Sequence, residues 1–181
     1  ERLVQNLGEV RPTIFYSVPR IFEKAYAKIL ENAKSGGAIK RSIFDWSIGV
    51  GRKASQFVQN GESIPIALKM QYAPAKKLVY GKIRDRFGGR IRFVATGAAP
   101  ISREVLEFFH AADILALEAY GATETSCGIT FNLPAAWRFG TVGKCVDGNE
   151  IKIAPDGEIL VKGPLVFAGY YKDEVQTAEV L

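Results

Sequence analysis

Two short apolar runs with one short helix between them constrain this chain most. Arg90-Ile-Arg-Phe-Val-Ala-Thr96 reads as a strand, and the apolar run Ile114-Leu-Ala-Leu117 places a second strand at 113–118. The residues between, about 103–110, carry Val105, Leu106 and Phe109 at helical spacing. Ser102 is placed to cap that helix, and Glu104 lies against its dipole. Strand, helix, strand in so short a span predicts a parallel sheet in an α/β domain.

In such sheets ligands bind beyond the carboxyl ends of the strands. Two loops fall there. Gly97-Ala-Ala-Pro100 follows the first strand, and its small residues permit close backbone approach. Tyr120-Gly-Ala-Thr-Glu-Thr125 follows the second. A glycine, two hydroxyls and a carboxylate are parts for holding a phosphate and its metal. A hydroxyl donates to phosphate oxygen, while a carboxylate holds the Mg²⁺ that the phosphate carries. The same hexapeptide also reads as a strand end with a polar turn. Two loops converging on one sheet edge is the stronger signal.

The rest of the chain surrounds this unit. Pro12-Thr-Ile-Phe-Tyr-Ser-Val-Pro19 predicts a short strand bounded by prolines. Helices follow at about 20–33, at about 39–59 with an apolar stripe of Ile39, Ile43, Trp46, Val50, Ala54 and Phe57, and on to about 87 with Pro74 disturbing the last. Beyond about 138 the strands shorten to Thr141–Val146, Glu150–Ala154 and Glu158–Lys162, with Asp147-Gly148 and Asp156-Gly157 as hairpin turns. The expected fold is therefore α/β: a parallel sheet with covering helices, including a helical block at 20–87, followed by a short antiparallel β subdomain. The expected division is residues 1–135 and 136–181.

Residues 1–90 carry 17 Lys and Arg against 7 Asp and Glu, and residues 91–181 carry 7 against 12. A basic half suits nucleic acid, anionic lipid or a phosphorylated substrate, but the basic residues are scattered along helices without aromatic interleaving, and the plainer reading is a solvated face. Cys127 and Cys145 have no metal-type spacing and read as free thiols. The lone His110 reads as structural. No run of eighteen apolar residues is present. A chain that opens on Glu1 and closes on Glu179-Val180-Leu181, in the middle of a helical pattern, is expected to be a piece of a longer one.

Tyr120-Gly-Ala-Thr-Glu resembles the Tyr-Gly-x-Thr-Glu signature of the adenylate-forming (AMP-binding) enzymes. Gly97-Ala-Ala-Pro100 is similar to the adenine-side loop that precedes it. Arg138-Phe-Gly-Thr-Val-Gly143 resembles the family's Gly-x-Val-Gly element. Gly157-Glu-Ile-Leu-Val-Lys-Gly-Pro164 with Gly169-Tyr-Tyr-Lys-Asp173 resembles its Gly-Glu-Ile…Gly-Tyr element. Val18-Pro19-Arg20 and the helical block resemble the long-chain fatty acyl-CoA synthetase branch.

The resemblance implies an ATP-dependent acid–thiol ligase of fatty acid metabolism, with ATP, Mg²⁺ and coenzyme A as its cofactors and co-substrate. It implies that Thr123 binds a phosphate oxygen, that Glu124 holds Mg²⁺, and that Tyr120 and Gly121 lie at the nucleotide with Tyr120 on the adenine. Gly97, Ala98, Ala99 and Pro100 would cradle the base. Glu118 and Ala119 occupy positions where many relatives have an amide residue and Gly. A phosphate loop ending in Pro-Lys-Gly, a ribose-binding Asp and an adenylation Lys are not present, so residues 1–181 alone are expected to be inactive. An aryl- or amino-acid-activating ligase, and a non-catalytic module that kept the fold, stand as alternatives. The partners implied are a fatty acid, ATP and coenzyme A, without nucleic acid, in the cytoplasm. Peripheral contact at the inner face of a membrane, and a homo-oligomer, are open additions.

Overall fold

The computed structural model describes residues 2–181. Its first element, α1 (Arg2–Val10), has no counterpart in the periodicity reading. Strand β1 (Ile14–Ser17) then leads into α2 (Pro19–Lys34), which Pro19 opens at a position where its missing N–H is not needed. Helix α3 (Ala38–Gln59) and helix α4 (Ile66–Ala75) follow. Pro74 has no N–H to give its own turn. A turn of π-helix follows at Lys76–Tyr80, in which the Gly81 N–H reaches the Lys76 carbonyl, and the chain continues as α5 (Gly81–Asp85).

Strand β2 (Phe93–Thr96), helix α6 (Arg103–Ala111) and strand β3 (Ala116–Tyr120) form the predicted strand–helix–strand unit. The Ser102 hydroxyl caps α6 by accepting from the Val105 N–H. Strand β3 starts two residues later than its apolar run and ends at Tyr120, inside the signature. β1, β2 and β3 are parallel, with Ser17 beside Thr96 and Thr96 beside Glu118. Two antiparallel strands, β4 (Thr130–Phe131) and β5 (Lys144–Cys145), extend the sheet in the order β1-β2-β3-β4-β5. A separate hairpin, β6 (Glu150–Ile153) with β7 (Ile159–Lys162), and the short helix α7 (Glu174–Val180) complete the chain.

The turn at Asp156-Gly157 closes that hairpin, with the Gly157 N–H on the Ala154 carbonyl. Asp147-Gly148 does not make one. β5 gives its edge to β4 and β6 gives its edge to β7, so the turn passes the chain from one sheet to the other. Both cysteines are free.

The core lies between the sheet and its helices. Phe109 on α6 meets Phe22, Phe87 and Phe108 with ring centroids 5.5–6.0 Å apart. Val94, Leu106, Ile114 and Ile91 are wholly or almost wholly buried around them. The predicted stripe of α3 holds in its second half, where Val50 and Ala54 are buried and Phe57 packs against the core, and fails in its first. Ile39 is 79% exposed, and Ile43 and Trp46 are also exposed. The buried face is Phe44, Ser47, Ile48, Val50, Gly51, Ala54 and Ser55. The reason is steric. At Gly51 an added Cβ would lie 2.1 Å from the Ala111 carbonyl oxygen and 2.8 Å from the Tyr80 hydroxyl, so α3 and α6 touch through backbone. His110 lies at this seam, with Nδ1 2.7 Å from the Ser55 hydroxyl and its ring against Trp137 and Phe139. Burial pushes its pKa down, so the ring is held neutral.

Asp113 ties the lower end of the unit. Its carboxylate takes Lys76 at 2.7 Å and Arg84 at 3.4 Å, while the Arg84 guanidinium also donates to the Ile91 carbonyl at 2.8 Å. Arg84 thus joins α5 to the approaches of both β2 and β3.

The two glycines of α3 give opposite expectations. At Gly49 an added Cβ meets nothing within 4 Å. Gly49→Ala therefore raises stability by up to about 1 kcal/mol, through lost freedom of the unfolded chain. Gly51→Ala lowers it by about 1–3 kcal/mol, because backbone must move to admit the methyl. Paired thermal unfolding curves check both signs.

Candidate functional site

The carboxyl ends of β1, β2 and β3 meet at Gly97. A Cβ at Gly97 would sit 2.9 Å from the Tyr16 hydroxyl of β1 and 3.0 Å from the Ala119 carbonyl oxygen of β3. The loop that leaves this point turns through Ala98, whose φ of 68° lies in the left-handed region that a non-glycine residue enters only under local constraint. Ala98, Ala99 and Pro100 are exposed, and the buried Ile101 anchors the loop before α6 begins.

The Tyr120–Thr125 loop stands beside it. Gly121 leaves β3 with no room for a side chain, since an added Cβ would be 1.5 Å from the Cys127 carbonyl oxygen. Thr123–Thr125 form one 3₁₀ turn. The Thr125 hydroxyl is spent on the loop itself, accepting from the Ala122 N–H at 3.0 Å and donating to the Ala122 carbonyl at 3.1 Å. Ser126 and Cys127 both take positive φ and reverse the chain, and the Ile129 N–H closes the loop on the Tyr120 carbonyl at 2.9 Å. Thr123 is left exposed at the tip, with Glu124 beside it half-buried.

The other two sequence elements arrive at the same edge. Glu118 accepts the Gly140 N–H at 2.9 Å, and its main-chain carbonyl takes the Asn132 N–H and side-chain amide. Asn132 also accepts from the Arg138 N–H at 3.0 Å. The Arg138–Gly143 element is thereby fastened to β3. Burial pushes the Glu118 carboxyl up from its usual value, and the Gly140 hydrogen bond opposes that shift. From the fourth element, the Tyr170 hydroxyl donates to Glu124 Oε1, and the Phe167 N–H donates to the Glu124 carbonyl at 2.9 Å. The tyrosine holds the Glu124 carboxyl below its usual range.

All ten sequence-predicted residues thus lie on two adjoining loops and the strand end between them. Tyr16, Phe167 and Tyr170 belong to the same neighbourhood and were not among those predicted. Tyr170 had a signal in the Gly169–Asp173 element, but nothing in its spacing pointed to Glu124, forty-six positions away.

The donor set suits one kind of metal. Among the described residues no group of three or more His, Cys, Asp or Glu side chains could hold an ion unaided. A single carboxylate beside a hydroxyl, at an exposed tip, fits Mg²⁺ that takes its other ligands from phosphate and water.

The family model described as AMP-binding enzyme matches residues 1–171. A protein of Mycobacterium tuberculosis named as a fatty-acid–CoA ligase (fadD11) is 42% identical over 97% of this chain and 31% of its own length. The peroxisomal long chain acyl-CoA synthetase 6 of Arabidopsis thaliana is 38% identical over 99% of this chain and 26% of its own. The chain therefore spans between a quarter and a third of these curated relatives. Two solved structures share the fold. The adenylation domain of a Mycobacterium chelonae carboxylate reductase gives a TM-score of 0.59 at 21% identity, over 99% of this chain and 24% of that one. A benzoate–CoA ligase of Burkholderia xenovorans gives 0.56 at 22%, over 98% and 28%.

Gly121→Ala is expected to open the signature loop. The methyl collides with main chain that Ser126 and Cys127 hold in a reversed conformation, at a cost of about 1–3 kcal/mol. Hydrogen exchange checks this, with faster exchange at the Ile129 and Cys127 amides than in the unaltered protein.

Proposed function

The chain belongs to the AMP-binding enzyme family, and on that premise we propose that it is the nucleotide-handling part of an ATP-dependent long-chain fatty acid–CoA ligase. In the first step a fatty acid carboxylate oxygen bonds to the α-phosphorus of ATP and pyrophosphate leaves. In the second the coenzyme A thiol bonds to the acyl carbonyl carbon, loses its proton, and AMP leaves. The observation that carries the reading is the meeting of four separate sequence elements around Thr123 and Glu124, supported by relatives whose names are those of acyl-CoA ligases.

Charge control at the phosphates is the physical need of the first step. Mg²⁺, when bound, supplies most of it by neutralising the phosphate oxygens. Glu124 would hold that ion through its carboxylate, and the Thr123 hydroxyl would donate to a phosphate oxygen. The Tyr120 ring would lie against the adenine, with the Gly121 backbone beside it at the nucleotide. Gly97, Ala98, Ala99 and Pro100 would form the base cradle beside Ala119. Glu118 keeps one carboxylate oxygen beyond its bond to Gly140, and that oxygen can accept from the adenine amino group as an amide oxygen would. In this reading residues 1–135 present the nucleotide loops, and residues 136–181 begin the antiparallel part that braces them.

In the full-length protein, Glu124→Gln is expected to cut fatty-acid-dependent pyrophosphate exchange by about 100-fold or more, since the charge at the metal is lost while the shape is kept. Near-normal exchange removes Glu124 from the site. Exchange driven by aryl or amino acids but not by fatty acids overturns the substrate class.

We also infer a peripheral contact of the cytoplasmic protein with an anionic membrane. No described helix is long and apolar enough to cross one. Between α2, α3 and α5 lies a groove of about 440 Å³ floored by Ile29, Phe44 and Ile83, with Lys40, Lys82 and Arg86 at its rim. None of these three cations has a salt-bridge partner among the described residues. Apolar floor and basic rim together match the acyl–headgroup boundary of an anionic leaflet. Co-sedimentation with phosphatidylserine vesicles is expected to exceed that with neutral vesicles and to fall in high salt. Equal binding to both overturns the contact.

A further inference from the structure

Glu124 is a long side chain on an exposed tip, and a carboxylate that must meet a metal cannot be left to rotate freely. Fixing such a side chain costs rotamer freedom, which some neighbouring group has to offset. One segment supplies that constraint twice over. The Tyr170 hydroxyl donates to Glu124 Oε1, and the Phe167 N–H donates to the main-chain carbonyl of the same residue.

That segment is itself braced. The Phe167 and Tyr170 rings pack edge to face with centroids 4.9 Å apart. The Tyr170 N–H donates to the Thr177 hydroxyl at 2.9 Å, and that hydroxyl donates to the Asp173 carbonyl at 2.7 Å. Asp173 caps α7 through the Gln176 N–H. Gly169 has φ of 130°, and a Cβ there would sit 2.7 Å from the Thr177 methyl. The tyrosine therefore reaches Glu124 from a turn with little slack.

We propose that Tyr170 is a positioning residue that fixes the Glu124 carboxylate through Oε1 and so presents Oε2 to the metal on the bound nucleotide. This rests on the reading of Glu124 as a metal ligand. The chemistry favours a phenol over a cation. Lys or Arg at this point would neutralise the carboxylate and repel Mg²⁺, whereas a neutral hydroxyl orients the group and leaves its charge intact.

The test uses the full-length protein with Mn²⁺ as probe and a non-hydrolysable ATP analogue, reading bound Mn²⁺ by paramagnetic resonance. Tyr170→Phe keeps the ring on Phe167 and removes only the hydroxyl. It is expected to weaken Mn²⁺ in the ternary complex by about 10-fold, the usual scale for losing an outer partner of a metal ligand. Excess Mg²⁺ should restore its pyrophosphate exchange. The double variant with Glu124→Gln should be no weaker than Glu124→Gln alone, because the two act through one carboxylate. If Glu124→Gln weakens Mn²⁺ and Tyr170→Phe does not, the positioning role is overturned and the ligand stands. If Glu124→Gln itself leaves Mn²⁺ unchanged, the ligand reading falls, and this inference with it. A lowered melting temperature with unchanged Mn²⁺ affinity marks Tyr170 as merely structural and overturns the proposal. Thr177→Val, which loosens the Tyr170 turn without touching the phenol, gives the same readout should Tyr170→Phe fail to fold.

Discussion

The backbone contact between α3 and α6 at Gly51 is the constraint on which the rest depends. Two helices packed through their side chains lie with axes about 8–10 Å apart. Here the Gly51 position is pressed to the Ala111 carbonyl, and the Tyr80 hydroxyl closes the same gap by donating to the Ser47 carbonyl. α6 is thereby held at one depth. Because α6 connects β2 to β3, its depth sets where those strands end, and their ends carry both candidate loops. The aromatic cluster around Phe109 fills the space this arrangement leaves.

The site is built the opposite way from the core. The core is apolar and tolerates no gap, while the loops at the strand ends are held by main-chain and side-chain hydrogen bonds and by glycines with no room beside them. Thr125 is consumed in shaping the signature loop, which leaves Thr123 exposed at its tip. Glu118 and Asn132 do similar work for the Arg138–Gly143 element. Polar residues of one short stretch thus divide into those that build the loop and those that face solvent. The division follows from which hydroxyl can reach a nearby N–H, not from residue type.

The charge arrangement is economical in cations. The carboxylate at the loop tip is met by a phenol, and no salt-bridge partner is described for it. The basic residues lie instead on the helical block, where Lys40, Lys82 and Arg86 surround an apolar groove. Negative charge thus stands at the loop tip and positive charge on the helical block.

What could be read from the residues alone was what depends on neighbours in the chain. The strand–helix–strand unit, the Ser102 cap, the Asp156-Gly157 hairpin and the two glycine-bearing loops were all legible, because periodicity, capping and turn chemistry act over a few residues. The order of the four elements was legible too, through the resemblance. Tertiary structure decided the rest. α3 carries apolar residues on more than one face, so only the close approach of α6 could select Phe44, Ile48 and Gly51 over Ile39, Ile43 and Trp46. Strand β5 had two possible neighbours, and pairing with β4 took it from the hairpin that Asp147-Gly148 suggested. The link from Tyr170 to Glu124 was invisible for the same reason: a hydrogen bond between residues so far apart in the chain leaves no local pattern, and exists only once the sheet edge and the cap of α7 have been brought face to face.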